Sequence, residues 1–429
     1  MSPLRIGIAG LGTVGAATVQ LIEENAQVLA LRTGRRLQIT AVSARDRGKD
    51  RGFLADRYRW YEDARALAAD PEVDLVCELI GGSEGVALDL VRQALRAGKH
   101  VVTANKALLA HHGGALARLA EEHGAVLAFE PAVAGGIPIV KALREGLAAN
   151  RIRRITGILN GTSNYILTTM RETGRDFATV LAEAQAKGYA EADPSFDVDG
   201  IDAAHKLSLL ASLAYGCVPR FDAMQPEGIR AIKPVDIDFA AQLGLRIKLL
   251  GTARLTEAGL VLRMHPAMVP LTAPIAAVEG VFNGIAVEGD RVGTTMFEGR
   301  GAGAGPTASA VVADIVDIAR GLRLPTFGVP AADLVERKLA PAEDLVGSYY
   351  LRLEVVDRPG VLADIAAVLR DHQVSIESLI QRGRDPEQPV TLVITTHEAA
   401  EGAMTRALAV IAGLSVVLEA PTMIRVERT

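Results

Sequence analysis

The chain opens on a pattern that leaves few architectures available. Leu4–Ala9 is an apolar run, and it feeds directly into Gly10-Leu11-Gly12-Thr13-Val14-Gly15. A G-x-G-x-x-G loop carries little weight alone. Between a strand and a helix it marks the first βα turn of a dinucleotide-binding sheet. The glycines permit a tight turn and close backbone approach, and the helix that follows offers free N–H groups to a pyrophosphate. That helix is predicted over 13–31. Leu37–Ser43, 73–80, His100–Thr103 and 125–129 then read as strands, with helices over 86–97 and 107–123. Such alternation predicts an α/β fold, a Rossmann-type doubly wound parallel sheet over residues 1–130.

After Pro131 the pattern changes. Glycines thicken at 134–138, a helix is predicted over 139–149 and a strand over 152–159. Helices over 176–187 and 199–215, and strands over 260–264, 284–288 and 293–297, make 131–302 a central α+β domain for substrate binding, catalysis and oligomerisation. The glycine-rich run 299–305 leads into a helix expected to return to the first domain as residues 303–322. Prolines 325, 330 and 341 mark 323–347 as a linker. Residues 348–429 read as βαββαβ, a ferredoxin-like unit. The 429 residues suit about three domains.

Composition narrows the function. Hydrophobic residues are 49% and charged residues 23%, so the chain can bury a core and is not disordered. A net charge of −5 provides no basic field for nucleic acid. There is no run long and apolar enough for a membrane span and no leader pattern at the N-terminus. Cys77 and Cys217, the two cysteines, suit a reducing cytoplasm.

Candidate site residues come from position. Ser43 stands where an acid would select NAD. Arg45, two residues on, could meet a 2′-phosphate, which favours NADP; Asp46 keeps NAD possible. Thr103-Ala-Asn-Lys106 closes a strand at the end of the sheet where ligands bind, so Lys106 should face the nicotinamide. Nine of the 46 basic residues are lysine, so a lysine here suggests a need for its reach or tunable pKa. Asp199 is predicted to cap a helix starting near Gly200, which puts Asp202 and Lys206 on one face at i and i+4. The apolar run that follows predicts burial, and a buried lysine beside carboxylates suits acid–base work. The same stretch fails as a calcium loop, because Lys206 falls where a bidentate Glu is required. His205 is expected to be a hydrogen-bonded helix histidine, not a metal ligand.

Taken together, these motifs resemble the homoserine dehydrogenases. The resemblance runs through the glycine loop, Thr103–Lys106, Glu130-Pro-Ala-Val-Ala-Gly-Gly-Ile-Pro138, Asn160-Gly-Thr-Ser-Asn-Tyr-Ile-Leu167, Glu191–Lys206 and Gly301-Ala-Gly-Ala-Gly-Pro-Thr307. It implies hydride transfer between L-homoserine and L-aspartate 4-semialdehyde, in threonine and methionine biosynthesis. It assigns Lys206 as acid–base residue and Lys106 as a second lysine at the reacting carbon. Glu191 would hold the substrate ammonium, with Asp197, Asp202 and Thr162 lining the pocket. The cofactor would lie on the glycine loop, Arg45, Thr103, Lys106 and Gly303. Glu130 with the carbonyls of Val133, Gly135 and Ile137 would hold sodium. Asp357-Arg-Pro-Gly360 resembles the ligand turn of an ACT domain, which implies a threonine effector. A homodimer or homotetramer is expected. Two alternatives stand beside this. Aspartate-semialdehyde dehydrogenase needs a cysteine nucleophile, and neither cysteine lies beside a base. A silent amino-acid-binding regulator would be expected to lack at least one of Lys106, Glu191, Asp202 and Lys206.

Overall fold

The computed structural model describes residues 2–381 and 389–427. Six parallel strands form the first sheet: β1 (Leu4–Ala9), β2 (Leu37–Ser43), β3 (Arg59–Tyr61), β4 (Leu75–Glu78), β5 (His100–Thr103) and β6 (Leu127–Ala128). Their order is β3-β2-β1-β4-β5-β6. The order reverses between β1 and β4, so the crevice at their carboxyl ends is the expected ligand position. β3 is a three-residue edge strand that the periodicity does not signal.

The helix expected over 13–31 is broken. Thr13–Glu24 ends at Asn25, whose side chain donates to the Leu21 carbonyl, and a second helix, Ala26–Thr33, starts afresh. An asparagine that bonds local backbone competes with the helix ladder in this way. Helix Ala304–Ala319 packs Val311, Ile315 and Ile318 into the same core as Ile6, Ile8 and Val19.

The second sheet is mixed. β7 (Ile152–Ile158), β8 (Leu245–Thr256), β9 (Gly259–Pro270), β10 (Phe282–Gly289) and β11 (Gly293–Arg300) are ordered β11-β10-β7-β8-β9. β8 and β9 form a hairpin twelve residues deep on each side. Of this hairpin only the 260–264 segment is expected from the sequence. Helix Gly161–Thr173, which Asn160 caps by accepting from the Ser163 N–H, is an addition to the expected elements. The helix expected over 139–149 is a single turn, Ile139–Lys141, that widens into a π-turn over Ala142–Gly146.

The C-terminal unit is ferredoxin-like. β12 (Val346–Val356), β13 (Ile376–Gln381), β14 (Pro389–Thr396) and β16 (Thr422–Val426) carry helices Val361–Asp371 and Glu401–Ala412 on one face. The two-residue β15 (Ala399–Ala400) pairs with the start of β12. β16 also pairs in parallel with β9, so both sheets are one continuous surface ordered through β9-β16-β12-β14-β13. Residues 323–347, read as a linker, are packed. Phe327 is fully buried against Phe129, and Val335 and Leu339 bridge to Cys217 and Leu260.

Candidate active site

The helix Ile201–Tyr215 is buried on almost every side, which is why its charged residues have to find partners inside the protein. Its N-cap is Gly200 in the left-handed region, with no side-chain cap. Asp199, expected as that cap, instead pairs with Arg230 at 2.6 Å. In the first turn, Asp202 is held from two sides. Its Oδ2 accepts from Lys206 Nζ at 2.7 Å, and its Oδ1 lies 3.0 Å from Lys106 Nζ. Burial alone would raise the Asp202 carboxyl. Lys206 and Lys106 outweigh it and hold the group well below the ordinary carboxylate range.

Lys206 Nζ also donates to the Leu159 carbonyl at 2.8 Å. The next residue, Asn160, donates to Asp197 at 2.8 Å and to Asp202 at 3.0 Å. Burial, reinforced by the nearby Asp202 charge, pushes the Asp197 carboxyl up. Thr162 donates to the Tyr189 carbonyl. These groups line a cavity of about 530 Å³. The opposite wall is Val14 of the glycine loop, Ala104, Gly301, Gly303 and Thr307. Two lysines and a carboxylate thus face the loop at the sheet's switch point.

The glycines divide the work of that loop. Gly10 has φ +93°, and a Cβ there would meet the Leu79 carbonyl at 2.5 Å. A Cβ on Gly15 would sit 1.8 Å from the Gly10 carbonyl oxygen. Gly12 faces open space, on the side where a pyrophosphate approaches. Thr13 is exposed beside it.

Other candidates fall elsewhere. Thr103 is fully buried, and its hydroxyl donates to Glu78 at 2.6 Å rather than into the cavity. Arg45 is exposed. Glu191 is exposed too, on the loop beyond Tyr189 and outside the lining. Glu130 is buried, and its carboxylate accepts from the Val140 and Lys141 N–H groups at 2.9 and 2.8 Å. Val133 and Gly135 are buried in the turn that follows, and Ile137 accepts from the Ile139 N–H. His205 is a correction: both ring nitrogens are buried without a partner, and the ring is packed among Phe196, Phe221 and His111. Burial pushes Cys77 up and Cys217 up to about 11. Neither is an activated thiol.

Several site residues carry no spacing signal. Asn160 stands in the sequence only as the first residue of the Asn160–Leu167 motif, with no sign of its bonds to Asp197 and Asp202. Arg51 donates to the Leu11 carbonyl of the glycine loop at 3.2 Å from the far side of β2. Asn283, at the start of β10, lines the cavity with both amide atoms buried and unpartnered. It is pressed so closely to Gly301 that a Cβ there would come within 2.0 Å of Nδ2.

A nucleotide loop and a pair of tethered lysines facing one cavity define a dinucleotide-dependent oxidoreductase with an appended regulatory-type domain. Family models agree. Residues 10–130 match the NAD-binding domain of homoserine dehydrogenase, 138–316 match homoserine dehydrogenase itself, and 349–413 match the ACT domain. The homoserine dehydrogenase of Pseudomonas aeruginosa is 46% identical over all of both chains. That of Neisseria gonorrhoeae is 47% identical over 100% of this chain and 99% of its own. The crystal structure of the Thiobacillus denitrificans homoserine dehydrogenase superposes with a TM-score of 0.94 at 44% identity, covering 99% of this chain and 98% of that one. A hyperthermophilic archaeal homoserine dehydrogenase mutant in complex with NADPH superposes at 0.64 and 28% identity, over 75% of this chain and 99% of that one. The chain belongs to the homoserine dehydrogenase family. It is an oxidoreductase with that family's activity, built from an NAD(P)-binding domain, a catalytic domain and an ACT domain.

Proposed function

We propose that Lys206 moves the proton and that Asp202, by holding both lysines, sets their positions. The observation that carries this is the single buried carboxylate with an ammonium on each oxygen. The nicotinamide supplies the hydride chemistry when bound. In the reducing direction Lys206 gives its proton to the aldehyde oxygen as the carbon gains hydride; in the oxidising direction it takes the alcohol proton. Lys106 places a second positive charge beside the developing alkoxide. Asp197 and Thr162 line the substrate end. Glu191 is the proposed partner of the substrate ammonium, on the loop whose Gly188 and Tyr189 line the cavity.

The cofactor reading is NADP, with Arg45 and Arg51 beside β2 as its supports, and the NADPH bound by the archaeal relative is consistent with it. NAD remains the alternative. A monovalent cation, sodium, is assigned to Glu130 and the carbonyls of Val133, Gly135 and Ile137. Burial first, then Asp314, push the Glu130 carboxyl up to about 7, while Lys141, whose Nζ pairs with Asp314 at 3.2 Å, acts the other way; a buried carboxylate beside the backbone carbonyls of that turn is an oxygen donor set of the kind a hard cation takes. Threonine is the proposed effector of the ACT domain at Asp357–Gly360. The assembly is a homodimer or homotetramer through the central sheet and the C-terminal domains; the edge strand β11 of that sheet has no buried residue. The compartment is the cytoplasm, in keeping with two buried free thiols. Among the described residues no helix is long and apolar enough to cross a membrane.

The test is absorbance at the reduced-nicotinamide band, with L-homoserine and either NAD⁺ or NADP⁺, with and without sodium and threonine. A faster rise with NADP⁺, dependent on sodium and reduced by threonine, is expected. Equal rates in all arms would refute the cofactor, cation and effector assignments while leaving the activity in place.

A further inference from the structure

Where β16 of the ACT domain joins β9, the two sheets leave a second cavity, of about 150 Å³. Its floor is one face of the catalytic sheet. Arg154 on β7 pairs across with Arg254 on β8, and Thr252 on β8 pairs with Arg263 on β9. Alternate residues of a strand share a face, so these four side chains stand together. Arg425 and Glu427 of the ACT side complete the wall.

Most of these charges are already matched. Arg263 and Arg425 pair with Glu401, Arg425 also with Glu227, and Arg154 Nη2 with Glu427 at 2.7 Å. Three features are not. Arg254, half-buried, has no acidic partner among the described residues. The Thr252 hydroxyl is buried and makes no hydrogen bond, with Thr252 only 4% exposed. Arg154 Nε is buried and unpartnered in the same way. Buried polar groups nearly always find partners, so two buried unmet groups beside an unpaired guanidinium on one cavity wall mark a place where something binds.

We propose that this seam is a binding site for a small molecule carrying a carboxylate or phosphate, separate from the nicotinamide and substrate cavity. The oxyanion lies between Arg254 and Arg154, with the Thr252 hydroxyl donating to it. Glu427 and the exposed Glu398 on the same lining favour a ligand with a cationic group beside its anion, an amino-acid zwitterion over bare phosphate. The position also gives binding a route to catalysis. β7 runs from Arg154 toward Leu159, whose carbonyl receives Lys206. Five residues of strand span about 17 Å, so a ligand here pulls on the strand that seats the catalytic amine.

The test uses the full chain. Wild type, Arg254→Ala and Thr252→Val are titrated calorimetrically with each of the common L-amino acids, succinate and inorganic phosphate. The expected result is that at least one amino acid or succinate binds wild type and binds both variants about tenfold more weakly, the loss of one charged hydrogen bond. Both variants should keep basal activity without ligand. Variant-sensitive binding of phosphate alone would support the site and assign its source as phosphate. The proposal is overturned if no probe binds wild type, or if bound probes hold equally well in the variants. It is overturned too if binding survives Arg254→Ala but disappears in Asp357→Ala, which places the ligand on the ACT turn.

Discussion

At the scale of residues, the site turns on who holds the protons and who holds the holders. In Lys206→Ala the Leu159 carbonyl loses the lysine donor, while Asp202 keeps Asn160 on Oδ2 and Lys106 on Oδ1. The fold should therefore survive. A general acid–base group contributes roughly 10²- to 10⁴-fold, so kcat is expected to fall by that factor while NADPH binding, measured by fluorescence titration, changes little. Comparable loss of cofactor affinity would mean that Lys206 binds the nucleotide instead. Asn283 makes a different prediction. Its amide is buried in the cavity wall with both atoms unpaired, so it is available to a ligand and costs the empty protein. Asn283→Leu should leave or raise thermal stability and should weaken substrate or cofactor binding, seen as a KM increase of about tenfold or more. A destabilised variant with unchanged KM would make Asn283 a structural residue only.

At the scale of elements, the glycine loop separates folding from binding. Gly15→Ala places a methyl 1.8 Å from the Gly10 carbonyl oxygen, so the turn itself must shift. Gly12→Ala meets no protein atom within 4 Å. Gly15→Ala should lower the melting temperature of the free protein and abolish NADPH binding. Gly12→Ala should melt like wild type and lose affinity alone. If both melt lower, the open side of Gly12 is not where the nucleotide lies. The same loop shows what a sequence discloses. Leu4–Ala9 and the glycines after it are readable because strand period, turn chemistry and helix start agree within a dozen residues. The fold class of all three parts follows from such local agreement. Asn25 was not readable as a break, since its competing hydrogen bond to Leu21 depends on a rotamer. The helix from Gly161 is not legible because its cap, Asn160, is followed by Gly161 and Thr162, which are poor helix formers. Asn160 and Asn283 reach the site through tertiary placement, and lone asparagines leave no periodic trace. The unpartnered ring of His205 is not legible in the sequence, because helix position says nothing about which rings surround it.

At the scale of the whole molecule, the ACT domain is fixed to the catalytic body by buried charge. Arg352 of β12 meets Asp236 at 2.7 Å with both side chains almost wholly buried, and Arg425 joins Glu227 to Glu401. Beside this seam sits His265 of β9, buried, its Nε2 without a hydrogen bond and 3.9 Å from Glu427 Oε1. Burial first, then Arg425 and Arg263, lower its pKa from 6.5 to about 3. The imidazole is therefore neutral in the folded protein well below the pH at which the unfolded chain charges it. Between pH 6.5 and 3 the unfolded state binds the extra proton, so its contribution is complete above 6.5 and is lost as pH falls. By pH 4.5, two pH units below the unfolded value, the loss from this one group is about 3 kcal/mol. Urea unfolding of wild type and His265→Phe at several pH values between 7 and 4.5 measures it. The variant starts from a different stability, so the comparison is of slopes: wild type should fall more steeply with acid by about that amount. Parallel slopes would mean that His265 titrates alike in both states, with Glu427 holding the imidazolium in the folded protein.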